Sequence, residues 1–199
     1  MTTVHKVNDF EVIKKREGLY AFSNMPFLDE YLSNTTLKFS KNGNKIEIFT
    51  ETVQSLRQYL EVRRNRSVED CIKIIYDLGA QILLLERNGE GILFFDLDDI
   101  IVINDKFFLF VNTSKIMPIH DDRLSIRSIY DISLFTAPEL KAISRLPATA
   151  PISVTYYSLA LLIIYCLNID IEILKYSKIY AFLKRCMAPE PEDRVFLFI

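Results

Sequence analysis

The sequence predicts an α+β fold that opens with β structure and turns mainly helical in its second half. Three observations carry this. Apolar and polar residues alternate on either side of Asn42-Gly43-Asn44. Apolar residues recur at helical spacing from Val68 to Leu85. β-Branched and aromatic runs fill 91–111 before a helical pattern returns. The chain has 199 residues, half of them hydrophobic and a quarter charged, so one domain with a sizeable core is expected and disorder is excluded.

The first 36 residues hold a basic run, Lys14-Lys15-Arg16, and a short helix from Pro26 to Leu32, where Pro suits the first helical turn. Leu37-Lys-Phe39 and Lys45-Ile-Glu-Ile-Phe49 form a hairpin, because Asn and Gly accept the positive φ of a tight turn. A short amphipathic helix follows over 53–60, then a solvated basic loop, Arg63-Arg64-Asn65-Arg66. Ser67 and Asp70 make a capping box in which Asp replaces the longer Glu. The apolar face from Val68 to Leu85 then gives one long core-facing helix over 68–87, closed by Asn88-Gly89.

Strand-length runs come next: Gly91-Ile-Leu-Phe-Phe95, Ile100-Ile-Val-Ile103 and Phe107-Phe-Leu-Phe-Val111, with a hairpin turn at Asn104-Asp105. No period dominates 112–136, and a long irregular segment inside a compact domain usually serves a function. Helices over 154–167 and about 171–183 precede a terminal segment with Pro189 and Pro191. The apolar end, Val195-Phe-Leu-Phe-Ile199, must be tied down on its own core or on another chain.

Lys plus Arg total 24 against 26 for Asp plus Glu, a net charge of -2. That balance supplies no basic surface for nucleic acid or an anionic membrane. The apolar stretch 154–167 is shorter than the ~20 residues of a membrane span, so no membrane insertion is expected. The N-terminus lacks the apolar core of a signal peptide. His5, His120, Cys71, Cys166 and Cys186 are too scattered for a zinc motif. Such cysteines suit buried thiols in a reducing, cytoplasmic compartment.

Local motifs in this order resemble the eukaryotic-type protein kinase domain. Phe135-Thr-Ala-Pro-Glu-Leu140 is similar to the Ala-Pro-Glu motif that closes a kinase activation segment. Tyr156-Tyr-Ser-Leu-Ala160 resembles the start of the buried large-lobe helix, and Lys184-Arg-Cys-Met-Ala-Pro-Glu-Pro-Glu-Asp-Arg194 the late Cys, Pro and Arg motif. Phe94-Phe95-Asp96-Leu97 falls where His-Arg-Asp-Leu should lie. The resemblance implies a reduced β-containing small lobe over 1–52, with fewer strands than the usual five, and a mostly helical large lobe over 53–199. It also implies a structural ion pair between Glu139 and Arg194.

Departures from the family pattern decide what it implies for activity. No glycine-rich phosphate loop or Val-Ala-Ile-Lys strand is present, and Asn112-Thr113-Ser114 stands where the metal-binding Asp-Phe-Gly should be. Thr155 replaces the family's Asp that would bond the catalytic-loop backbone. Asp96 matches the catalytic Asp, and Asp98 or Asp99 could hold a metal, although three carboxylates in four residues also read as a solvated turn. The implied function is a catalytically inactive kinase-like module for protein–protein interaction or scaffolding, with a protein partner and no cofactor. One alternative is an active Ser/Thr kinase using Asp96, with ATP and Mg. Another is a structural protein of a large DNA virus particle, suggested by the Ile-, Asn- and Lys-rich composition, and placed in host cytoplasm or virion.

Overall fold

The computed structural model describes residues 1–23, 25, 27–63 and 67–197. The helix start at Pro26, the basic run Arg64-Asn65-Arg66 and the last two residues of the apolar tail lie outside them.

The first fifty residues build a complete antiparallel sheet of five strands. These are β1 (Thr2–Val7), β2 (Phe10–Arg16), β3 (Leu19–Ser23), β4 (Phe39–Asn42) and β5 (Lys45–Phe49), in the order β1-β2-β3-β5-β4. Helix α1 (Leu28–Ser33) crosses between β3 and β4. The reduced lobe expected from the sequence is therefore corrected. Strand β1 is an edge strand whose residues are exposed or half-buried, so its alternation is weak. One face of the sheet, with Phe10, Val12, Phe22, Ile46 and Ile48, packs into the main core. The turns are where small polar residues and Gly take positive φ: Asn8 (50°), Gly18 (72°) and Gly43 (61°).

The second half is not mostly helical. Among the described residues twelve strands form three antiparallel sheets beside six helices, and only two helices exceed nine residues. Strand β6 (Val53–Ser55) takes the first turn of the helix expected over 53–60. It pairs with β8 (Ile100–Ile103), which pairs in turn with β9 (Phe107–Phe110). Asn104 and Asp105, at φ 51° and 56°, make the turn between the last two. Helix α2 (Leu56–Val62) then starts on a capping box of Ser55 and Gln58. Helix α3 (Val68–Arg87) has the bounds read from the sequence and the Ser67–Asp70 box.

Residues 112–136 were expected to be irregular and instead supply half of a sheet. Strands β7 (Glu90–Ile92), β10 (Ile116–His120), β11 (Arg123–Ile126) and β12 (Ala148–Pro151) lie in the order β12-β11-β10-β7. Asp121 and Asp122 turn the β10–β11 hairpin at φ 50° and 57°. Helices α4 (Pro138–Lys141), α5 (Ser153–Leu167) and α6 (Lys178–Cys186) complete the chain. The helix expected about 171–183 splits into a 3-10 turn at Ile171–Leu174 and the start of α6.

The larger apolar core of the described residues runs from Phe10 to Cys186 and takes in the buried faces of α3 and α5. A smaller cluster under the β10–β11 hairpin contains Leu93, Phe94, Met117, Leu124 and Val154. From the tail, Phe196 stacks on Tyr156 at 5.1 Å, while Val195 and Leu197 remain about half exposed. No described helix is long and apolar enough to cross a membrane.

Helix α3 also finishes the sheet beside it. Strand β9 is an edge, and its backbone would be buried without partners. The Phe110 N–H donates to Gln81 Oε1 at 2.9 Å, and Gln81 Nε2 donates to the Phe108 carbonyl at 2.8 Å. The Phe108 N–H donates to Asp77 Oδ2 at 2.8 Å. Two polar side chains thus stand in for a missing strand.

Candidate functional site

The loop from Leu93 to Asp99 links β7 to β8 and carries the carboxylates singled out by the sequence. Its backbone is clamped by α5. The Ser158 hydroxyl accepts from the Phe95 N–H at 2.9 Å, and Thr155 Oγ1 donates to the Ile92 carbonyl. From the other side Ser133 Oγ donates to the Phe95 carbonyl at 3.2 Å. Thr155 therefore ties the end of β7 to α5, and Ser158 is the residue that ties the loop itself. Phe95 is fully buried, edge-on to Phe110 at 5.5 Å, while Phe94 joins the smaller cluster.

Asp96 caps the 3-10 turn Leu97–Asp99, accepting from the Leu97 N–H at 2.7 Å. Arg57 of α2 holds both Asp98 oxygens through Nε at 2.9 and 3.0 Å, and its Nη2 lies 3.8 Å from Asp96 Oδ1. Asp99 is different. Its side chain is 4% exposed, and it accepts from Asn112 Nδ2 and from Lys115 Nζ, each at 2.6 Å. Burial pushes the Asp99 carboxyl up from the ordinary range, and the Lys115 ammonium and Asn112 amide oppose it. Lys115 Nζ also sits 4.0 Å from the centroid of the Phe94 ring.

The N-terminal sheet reaches into this cluster. His5 Nε2 donates to the Asp98 carbonyl at 2.8 Å, which fixes its tautomer. Asn8, in the β1–β2 turn, donates to Asn112 Oδ1 at 2.7 Å and to Ser114 Oγ at 2.9 Å. Asn112 Oδ1 accepts from the Ser114 hydroxyl as well, at 2.7 Å. His120 stays on the surface.

These donor sets do not fit a magnesium ion. Magnesium needs carboxylate oxygens free to face it in near-octahedral geometry. Here Asp98 faces a guanidinium, Asp99 an ammonium, and Asn112 spends its oxygen on hydroxyl and amide donors. Among the described residues no three His, Cys, Asp or Glu side chains are placed to share a metal. The solvated-turn reading of Asp96, Asp98 and Asp99 is also incomplete, since Asp99 is buried and charge-paired.

Away from this cluster, Arg194 and Glu139 meet. Arg194 Nη2 donates to Oε1 at 2.5 Å and Nη1 to Oε2 at 3.2 Å. The Arg194 side chain is 0% exposed and Glu139 24%. The rest of the guanidinium donates to the carbonyls of Ala188 and Pro189 and lies 4.6 Å from the Tyr157 ring centroid. Sequence reasoning missed Asn8, Arg57, Lys115 and Ser158. Their partners lie 39 to 106 positions away, apart from Lys115, whose partner Asp99 is 16 away. No local pattern announces such contacts.

No protein-family model matches the chain, and no curated protein matches it.

Proposed function

We propose that this chain is a catalytically silent, protein-kinase-like module that works by binding another protein. The observation that carries the reading is the Asp99–Lys115–Asn112 cluster. In the resemblance, Asn112 stands at the metal-binding Asp and Asp99 near the metal-binding Asn. In place of two magnesium ligands there is a buried, internally neutralised ion pair. Phosphoryl transfer is chiefly positioning and charge neutralisation, so a site without a metal carboxylate loses most of its catalytic terms together. The Asn8 turn supports the same reading. The Asn8 side chain is bonded to Asn112 and Ser114, which leaves those groups no free face for a metal or phosphate. Cys71, Cys166 and Cys186 are buried, which suits a reducing compartment such as the cytoplasm.

The test compares thermal unfolding with and without millimolar Mg-ATP, followed by a labelled-phosphate assay on wild type and Asp96→Asn. No Tm shift and no transfer are expected. A clear upward shift, or transfer abolished by Asp96→Asn, would overturn the reading.

A further inference from the structure

We infer that the surface around the segment from Arg127 to Leu146 docks an acidic peptide segment of another protein, anchored by one large apolar side chain. The inference rests on the silent-module reading and names the partner's chemistry. Its centre is a cavity of about 280 Å³ floored by Leu93, Phe94 and Leu140. A dry cavity of about 150 Å³ accepts a benzene ring, so this one takes a large aliphatic or aromatic side chain.

The cavity is preformed. Tyr130 in its wall donates to the Ser114 carbonyl at 3.0 Å and packs edge-on against Phe94 at 6.3 Å. Around it the chain leaves Ile129 89%, Leu134 77% and Ile132 63% exposed. Three large apolar residues within six positions, beside a pocket and rimmed by charge, form the kind of patch that marks an interaction surface.

Charge selects the occupant. Arg127, Lys141 and Arg145 are exposed, and none has an ion-pair partner among the described residues. Asp131 is the carboxylate lining the cavity, and the neighbouring Glu139 is committed to Arg194. A chain with net charge -2 thus gathers a local surplus of cations around an apolar hole. Carboxylates flanking an apolar anchor complement it, and a basic partner would be repelled.

The experiment selects a displayed library of random dodecapeptides on three immobilised proteins. These are wild type, the double variant Lys141→Glu with Arg145→Glu, and Ser144→Trp, which plugs the cavity mouth from an exposed position. Each variant must keep the wild-type Tm. Wild type should enrich peptides with Asp or Glu around a Leu, Ile, Met or aromatic residue. Anisotropy with the best labelled peptide should show about tenfold weaker binding to the charge-reversed protein, and a comparable loss on Ser144→Trp. No enrichment, enrichment without acidic residues, or unchanged binding to either variant would overturn the proposal. So would self-association of wild type that Ser144→Trp abolishes, since the occupant would then be a second copy. A Tm shift with Mg-ATP alongside acidic-peptide binding would sink the silent-module reading alone.

Discussion

At Arg194 a guanidinium sits in a dry site because each of its three nitrogens has a partner, drawn from one carboxylate and two backbone carbonyls. Removing the carboxylate strands the charge. Glu139→Ala should therefore destabilise the protein by about 3 kcal/mol, the low end for a broken buried pair because the carbonyls remain. Glu139→Gln, which keeps an acceptor, should cost about half as much. Urea denaturation at unchanged m-value measures both. Asp77 makes the opposite case. Burial pushes its carboxyl up to about 6, despite the Phe108 N–H and the nearby Tyr31 hydroxyl. The folded protein then holds the Asp77 proton more tightly than the unfolded chain, whose carboxyl titrates near the ordinary ~3.9. Its ionisation lowers stability as pH rises from about 4 to about 6, and the loss is complete above that window. Asp77→Asn keeps an acceptor for Phe108 and removes the charge. It should raise stability at pH 7.5 by about 1–2 kcal/mol and flatten the slope between pH 4 and 6, read from denaturation midpoints across pH.

At the scale of elements, the β10–β11 hairpin turns on two aspartates that both take positive φ, a geometry that Asn-Gly adopts with less strain. Asp121→Asn with Asp122→Gly should stabilise by about 1 kcal/mol, seen as a higher urea midpoint. The same turn shows why this hairpin escaped sequence reading. Asp-Asp looks like an acidic loop, and Ile116-Met-Pro-Ile-His120 contains a proline that argues against a strand. Helix α3 was legible because an apolar period over twenty residues and the Ser67 cap survive any tertiary context, and α5 because its apolar run is too long for a buried strand. Short strands do not carry that redundancy. Val53–Ser55 is three residues long and becomes a strand only because Ile101–Ile103 arrives beside it. Of the site, Glu139 and Arg194 were paired through a family resemblance. Asp99 was visible as a carboxylate, but Lys115 as its neutralising partner was not, because the contact depends on the β8–β9 pairing that sets Asp99, just before β8, beside the segment after β9.

For the molecule as a whole, one core shared by the five-stranded sheet and the helices implies one cooperative transition. Far-UV circular dichroism and tyrosine fluorescence should give coincident urea curves; two separated midpoints would contradict the shared core. His5 and Asn8 add polar ties between the sheet and the 97–115 region. Asn8→Ala should therefore speed amide hydrogen exchange in the β1–β2 turn and at Ser114, with little change in global Tm.

The pairing of Asp77 and Gln81 with strand β9 bears on the fate of the chain when it is damaged. Phe107-Phe-Leu-Phe110 is apolar, uncharged and of strand length, and it follows the equally apolar Ile100–Ile103. Such segments are templates for cross-β assembly once an edge is uncovered. Here the cover is a helix, not another strand, and it grips through two side chains. Losing that grip would expose a ready nucleus for fibrils. Those two side chains occupy the backbone groups through which another strand would add.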